Sequence, residues 1–175
     1  MKKKYAELKT VFTKGGIIVR GSRGLIEGAA VRIAKVVPDE RGRLGEIFRA
    51  DDPWFEKFGQ VYFTTTYPGV VKAWHYHKKQ TDHFYVVKGM VKAAMYDGRK
   101  NSPTYRVVNQ VYLGEHCSAL LRIPPGVLHG WMCVGKKEAY IVNVTTEVYN
   151  YEKPDEFRVD PHDNDIPYDW MRRDG

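Results

Sequence analysis

Cysteine is scarce in this 175-residue chain: Cys117 and Cys133 are the only two. They are not spaced as C-x-x-C and supply no disulfide framework, so thiol chemistry does not organise the fold. Both lie in apolar, strand-like runs and are expected to be buried free thiols, which suits a reducing compartment. Long apolar runs are also absent, none approaching the roughly 18 residues needed to cross a bilayer. The basic opening, residues 1–4, is followed by no apolar stretch, so no signal peptide is expected and a cytoplasmic location is. Low-complexity tracts, internal linkers and solenoid-length repeats are missing, which leaves one domain over residues 1–175, long enough to bury a core.

Positive charge is in excess but not gathered. The formal net charge is +7; residues 150–175 hold eight acids against four bases, a net −4, so the preceding 149 residues carry +11. Their Lys and Arg are scattered rather than lined along one helix or stripe. Neither nucleic acid nor a membrane is therefore expected as a partner, and a phosphate-bearing small molecule accounts for the excess.

What the chain does have is aromatic residues, 12 Tyr and 4 Trp among them, a composition that leans towards β structure or a stacking site. Residues 1–16 read as an arm or a first edge strand, and Gly16 to Arg20 as a short strand. Ala30 to Val37 is extended, Pro38 to Gly42 a turn, and Gly45 to Arg49 extended again. From Gln60 the pattern is almost unbroken β: 60–67, 70–77, 84–88, 90–96, 107–113, 119–123, 129–134 and 139–146. Gly, Pro, Asn and Asp punctuate these segments at even spacing, as in a sandwich or barrel. The core barrel is expected over about residues 30–148. One short helix is predicted over 51–58, with Asp51 or Asp52 as its cap and Pro53 in its first turn. The tail, 149–175, carries Pro154, Pro161 and Pro167, which argue against further barrel strands. Its Tyr149, Tyr151, Phe157, Tyr168 and Trp170 predict that it packs back onto the body.

Candidate chemistry concentrates between Gly69 and Gly89. His75 and His77 are two apart, which in a strand puts both imidazoles on one face; Asp82 or His83 follows a few residues on. The spacing of Gly69, His75, His77, Asp82 and Gly89 resembles the first cupin motif, with Asp where Glu is usual. Pro124-Pro-Gly126-Val-Leu-His129 resembles the second. That likeness implies an all-β cupin double-stranded β-helix, a jelly-roll barrel. His75, His77, Asp82 and His129 would suit Fe, Mn, Ni or Zn, so a metal-dependent dioxygenase or lyase is one reading.

Other segments resemble the dTDP-4-dehydrorhamnose 3,5-epimerase family, a metal-free branch of the cupins. They are Asp39-Glu-Arg-Gly42 with Glu46 and Phe48, Lys72-Ala-Trp-His75-Tyr-His77, and Asp97-Gly-Arg-Lys-Asn-Ser-Pro-Thr-Tyr105. Ile123 to Trp131, Thr145-Thr-Glu-Val-Tyr149 and Asp163 to Trp170 complete the series, in the family's order over residues 39–170. The resemblance implies epimerisation of a nucleoside-diphosphate 4-keto-6-deoxy sugar, dTDP-linked in the family, at C3, C5 or both, without cofactor or metal, in a homodimer. It implies His75 as general base, Asp163 (or Asp160) as the carboxylate that orients it, and Tyr149 as the acid on the other face. Such chemistry needs a base and an acid on opposite sides of the carbon and a stabilised enolate. Arg41, Glu46 and Lys72 would meet the nucleotide and diphosphate. His77, Asp82, His83 and His129 would complete the pocket, His77 and Asp82-His83 standing where the family has Gln and, nearby, Lys. The His75-x-His77-Lys78 run also resembles the nucleotide-sugar 3,4-ketoisomerases, a second isomerase reading. His116 and His162 are expected on the surface. The four Trp are expected in the core, with Trp74 and Trp131 able to edge the pocket.

Overall fold

Alternation with a period of two builds almost every element of this protein. In the segment Ala139–Thr145, Ala139, Ile141, Asn143 and Thr145 are buried while the residues between them are half-buried, the mark of a strand with two unequal faces. A computed structural model describes residues 5–172; the basic residues 1–4 and, in the tail, Arg173 and Asp174 lie outside the described residues. Fourteen strands occur among them: β1 Lys9–Lys14, β2 Ile17–Gly21, β3 Ala30–Ile33, β4 Val36–Asp39, β5 Gly42–Gly45, β6 Gln60–Thr66, β7 Val71–Tyr76, β8 Asp82–Lys88, β9 Met90–Asp97, β10 Val108–Gly114, β11 Ala119–Ile123, β12 Val127–Cys133, β13 Ala139–Thr145 and β14 Phe157–Arg158.

Two sheets face each other. One has seven strands in the order β1-β2-β10-β9-β12-β7-β14; the other has five, β3-β11-β8-β13-β6; β4 and β5 form a separate hairpin. The pairings within them are antiparallel. Inward positions of both sheets meet in one core that includes Val19, Phe84, Val91, Met95, Leu121, Ile123, Trp131 and Ile141. This is the expected jelly roll. Residues 9–21 also belong to it, so the barrel begins earlier than residue 30.

The expected helix over 51–58 does not form, and no helix occurs among the described residues. The segment makes consecutive turns, with Asp52 N–H on the Arg49 carbonyl and Phe55 N–H on the Asp52 carbonyl. Asp52 does cap backbone, but that of Arg49, and its carboxylate is also held by Arg32 at 3.0 Å. With Pro53 in so short a run, those contacts outweigh one turn of helix. The strand expected over 30–37 is split in two: Ala34 N–H still bonds the Ser118 carbonyl in line with the β3–β11 pairing, and the chain then leaves that sheet for β4, which pairs with β5.

The tail packs back as expected. Ile166, Tyr168 and Trp170 are buried against Trp74, Ala94 and Val108 on the outer face of the seven-stranded sheet. Burying each of these large side chains is worth roughly 1.5–3 kcal/mol. Contrary to the proline argument, the tail also adds a strand, β14, which pairs Phe157 with Tyr76 and Arg158 with His75 at the sheet edge. An edge position tolerates the flanking prolines. Trp74 therefore sits under the tail, and Trp131 lies in the barrel. Cys133 is buried and Cys117 half-buried, both free, while His116 and His162 are exposed.

Candidate active site

The inward faces turn polar at one end of the barrel. His75 on β7, His129 on β12, Asp82 on β8 and Asn143 on β13 each occupy an inward position, and His77 follows directly after β7. His75 is register partner of His129, and their rings stand 4.2 Å apart, edge to face. The strands approach this closely because of Gly130, where a Cβ would lie 2.3 Å from the Cβ of Ala73 and 2.6 Å from the Lys72 carbonyl oxygen. The second motif turns at Gly126, with φ of 79°, and the Gly126 N–H donates to the His77 carbonyl at 2.7 Å. Thus the two histidine segments are tied by backbone.

Asp82 is fully buried beneath the rings. Its Oδ2 lies 3.4 Å from His77 Nε2 and 3.3 Å from His129 Nε2. Its Oδ1 accepts from Gln80 Nε2 at 2.8 Å and from Asn143 Nδ2 at 2.7 Å. Burial opposes its ionisation, yet His129, His77 and the Asn143 amide outweigh it and hold the carboxyl below its ordinary range. Burial pushes the His75 imidazole well below its ordinary value, with His129 adding to the effect, so His75 is a neutral, proton-accepting ring. Asp155, in the tail, fixes the other imidazole. Its carboxylate accepts the N–H groups of Lys78, Lys79 and Gln80, and its carbonyl faces His77 Nδ1.

A cavity of about 910 Å³ opens over this cluster, lined by His75, His77, Lys72, Tyr62, Trp131, Tyr149 and Arg158 among others. Lys72 Nζ donates to Thr64 Oγ1 at 2.9 Å and to the Thr65 carbonyl at 2.6 Å. Tyr149 is held by its N–H on Gln60 Oε1 at 3.1 Å, and its ring meets that of Tyr151. Tyr62, Arg158, Glu156 and Gln80 also line the cavity, although their types and spacing carry no motif. The clue for Asn143 was its inward parity in a strand ending at the Thr-x-x-Tyr run. The Tyr62 hydroxyl accepts from Asn143 at 2.8 Å; burial, helped by the Asp82 charge, pushes it up to about 12. It therefore keeps its proton at neutral pH.

Other expected site residues lie elsewhere. Asp163 and Asp160 are exposed on a tail turn, Asp163 N–H bonding Asp160 Oδ1 at 2.7 Å; neither lines the cavity, and the carboxylate against the imidazoles is Asp82. His83, one residue on from Asp82, faces the other side of its sheet. It stacks on Phe48 with centroids 4.4 Å apart and its Nδ1 meets the Val144 carbonyl. Arg41 is exposed at the β4–β5 turn, paired with Asp39, and Glu46 is exposed and paired with Arg49 at 2.8 Å; neither lines the cavity.

A jelly-roll barrel with histidines and a buried acid at one open end is a cupin-type site. A match to the family described as dTDP-4-dehydrorhamnose 3,5-epimerase spans residues 24–174. A probable low-salt glycan biosynthesis epimerase of Haloferax volcanii is 41% identical over 146 residues, 82% of this chain and 89% of the relative. The spore coat polysaccharide biosynthesis protein SpsL of Bacillus subtilis is 38% identical over 146 residues, 83% of this chain and 97% of that one. Among solved structures, a dTDP sugar isomerase from Desulfovibrio desulfuricans superposes with a TM-score of 0.80 at 35% identity, covering 85% of this chain and 94% of its own. The chain belongs to the dTDP-4-dehydrorhamnose 3,5-epimerase family. It is an enzyme of the isomerase class, of the epimerase type.

Proposed function

We propose that this enzyme epimerises a nucleoside-diphosphate 4-keto-6-deoxy sugar at C3, C5 or both, with a dTDP-linked sugar as its substrate. The observation that carries the reading is that His75, a neutral base, and Tyr149, a phenol, line one cavity. Its size lies within the roughly 300–1,000 Å³ of small-molecule sites. His75 takes the proton beside the 4-keto group, the C–H electron pair moves into the enolate, and Tyr149 returns a proton from the other face. Tyr62 is a second hydroxyl donor on the same wall system, and Lys72 and Arg158 supply positive charge for the diphosphate. A solved relative from Legionella pneumophila, 25% identical with a TM-score of 0.74, is in complex with dTDP-4-keto-L-rhamnose, which supports this choice of substrate.

We also assign a cytoplasmic location and a homodimer. Phe63 on the edge strand β6 is 71% exposed and Tyr151 89% exposed, apolar surface of the kind that a second subunit covers. Incubation with dTDP-4-keto-6-deoxyglucose in deuterated water should place label at C3 or C5, read by NMR. His75→Asn should lower that exchange by at least about 100-fold, the low end for a general base. Absence of exchange with any nucleotide 4-keto sugar would refute the reading, and a product with its ketone moved to C3 would mark a 3,4-ketoisomerase instead.

A further inference from the structure

Strand register places a second phenol over the buried polar network. Tyr62 on β6 is the direct cross-strand partner of Asn143 on β13, so both side chains leave the same, inward face. The network also fixes the Asn143 amide. Its Oδ1 accepts the His83 N–H at 3.0 Å, which leaves Nδ2 to donate to Asp82 Oδ1 at 2.7 Å and to the Tyr62 hydroxyl at 2.8 Å. The Tyr62 oxygen is therefore the acceptor towards Asn143, and its own hydrogen must be directed elsewhere. Among the described residues no group accepts that hydrogen. The side chain meanwhile lines the cavity that His75 and Tyr149 share.

We propose that the Tyr62 hydroxyl is a catalytic hydrogen-bond donor to the sugar O4, holding the charge of the enolate that His75 creates. The assignment rests on the epimerase reading above. When His75 takes the proton from C3 or C5, the C–H pair becomes the carbon–carbon double bond and the carbonyl π pair moves onto O4. Tyr62 shares its hydrogen with O4 at that moment without giving it up. When Tyr149 returns a proton to the carbon, both pairs move back, so no oxidant or reductant is consumed. A donor set in advance on the atom where charge develops lowers the barrier because nothing has to reorganise as the charge appears.

Other donors around the cavity are already committed to protein oxygens. Lys72 donates to Thr64 and Thr65, and Arg158 is paired with Glu156. His77 and His129 each set one ring nitrogen against a backbone carbonyl and the other against Asp82 Oδ2. Tyr149 is reserved for the carbon. Tyr62 keeps its proton through the neutral range, since burial and the Asp82 charge push the hydroxyl up to about 12. The Tyr62–Asn143–Asp82 chain thus fixes this donor through the same carboxylate that lies beneath His77 and His129.

Tyr62→Phe removes one oxygen and keeps the ring, so the variant should fold and melt close to wild type by circular dichroism. With dTDP-4-keto-6-deoxyglucose carrying deuterium at C3 and C5, release of label into ordinary water should fall about 100–1,000-fold, the range for loss of one oxyanion donor. KM should change little, because the hydrogen bond strengthens only as charge develops on O4. Calorimetry should show wild-type affinity for dTDP, which also reports an intact pocket. Label release within about threefold of wild type would overturn the assignment. Normal release with slow return of the proton would overturn it too and make Tyr62 the acid. A loss of dTDP affinity of about tenfold or more with turnover kept would instead place the hydroxyl on the diphosphate. If the wild-type protein releases label from no nucleotide 4-keto sugar, the epimerase reading falls and this assignment with it, a result distinct from failure of the Tyr62→Phe comparison alone.

Discussion

Asp97→Asn tests how the Asp-x-Arg-x-x-Ser-Pro-Thr-Tyr segment holds the site. The Asp97 side chain is 0% exposed and lies at the end of β9, where it accepts five hydrogen bonds. Arg99 donates from N at 3.0 Å and from Nε and Nη2 at 2.8 Å; Ser102 and Thr104 each donate a hydroxyl at 2.6 Å. Burial opposes the charge, but Arg99 and the two hydroxyls outweigh it and hold the carboxyl below its ordinary range. Breaking a buried ion pair from one side costs about 3–5 kcal/mol. Arg99 is 27% exposed and can be partly rehydrated, so the lower end, about 3 kcal/mol, is expected. For a domain of this size that corresponds to a fall in Tm of roughly 6–12 °C, read by calorimetry or circular dichroism. Because the folded pKa is depressed, the carboxylate's stabilisation is whole above the unfolded value near 3.9 and drains away as pH falls through the folded one. The gap between wild type and variant should therefore be constant from about pH 8 to pH 5 and narrow below about pH 4. A gap under about 1 kcal/mol at neutral pH, or one that widens in acid, would refute the reasoning.

Gly130→Ala should separate β12 from β7 at the His75–His129 pair, because its Cβ would meet Ala73 at 2.3 Å. Overpacking of this kind costs about 1–3 kcal/mol, and deuterium exchange should fall further than stability does. Trp170→Ala should cost about 3–5 kcal/mol and free the tail for limited proteolysis, since Trp170 packs on Trp74 with centroids 5.0 Å apart. Tyr149→Phe should slow reprotonation while leaving proton removal measurable as washout of label. If Tyr62→Phe has that effect instead, the acid is Tyr62, whose hydroxyl is pushed up to about 12.

Much of the barrel was legible. Strand segments from Gln60 onward fall where alternation and turn residues predicted them, within a residue or two. The failures are instructive. Local capping favours a helix at 51–58, but Asp52 is drawn off by Arg32, twenty residues away in sequence. Asp82 and His83 looked interchangeable as neighbours in the chain. The pleat of β8 sends Asp82 to the imidazoles and His83 to Phe48 on the outside. Arg41 and Glu46 match a motif locally, yet the hairpin that carries Arg41 is a sheet of its own, and neither residue lines this chain's cavity. Asp163 and Asp160 were one choice among several acids of the tail, and residue type alone could not rank them against Asp82.

The sequence alone determined that this is a jelly roll of the epimerase family and that His75 and His77 share a face, because strand period, turn chemistry and motif order are properties of neighbouring residues. Only the tertiary structure decided which acid meets those histidines, which tail residues enter the cavity and which backbone carbonyls the ring nitrogens face. Those depend on where distant strands meet and where buried polar atoms find partners. Two histidines fixed by carbonyls of Val127 and Asp155 show the reason: their chemistry is written by backbone groups that any residue type could have supplied.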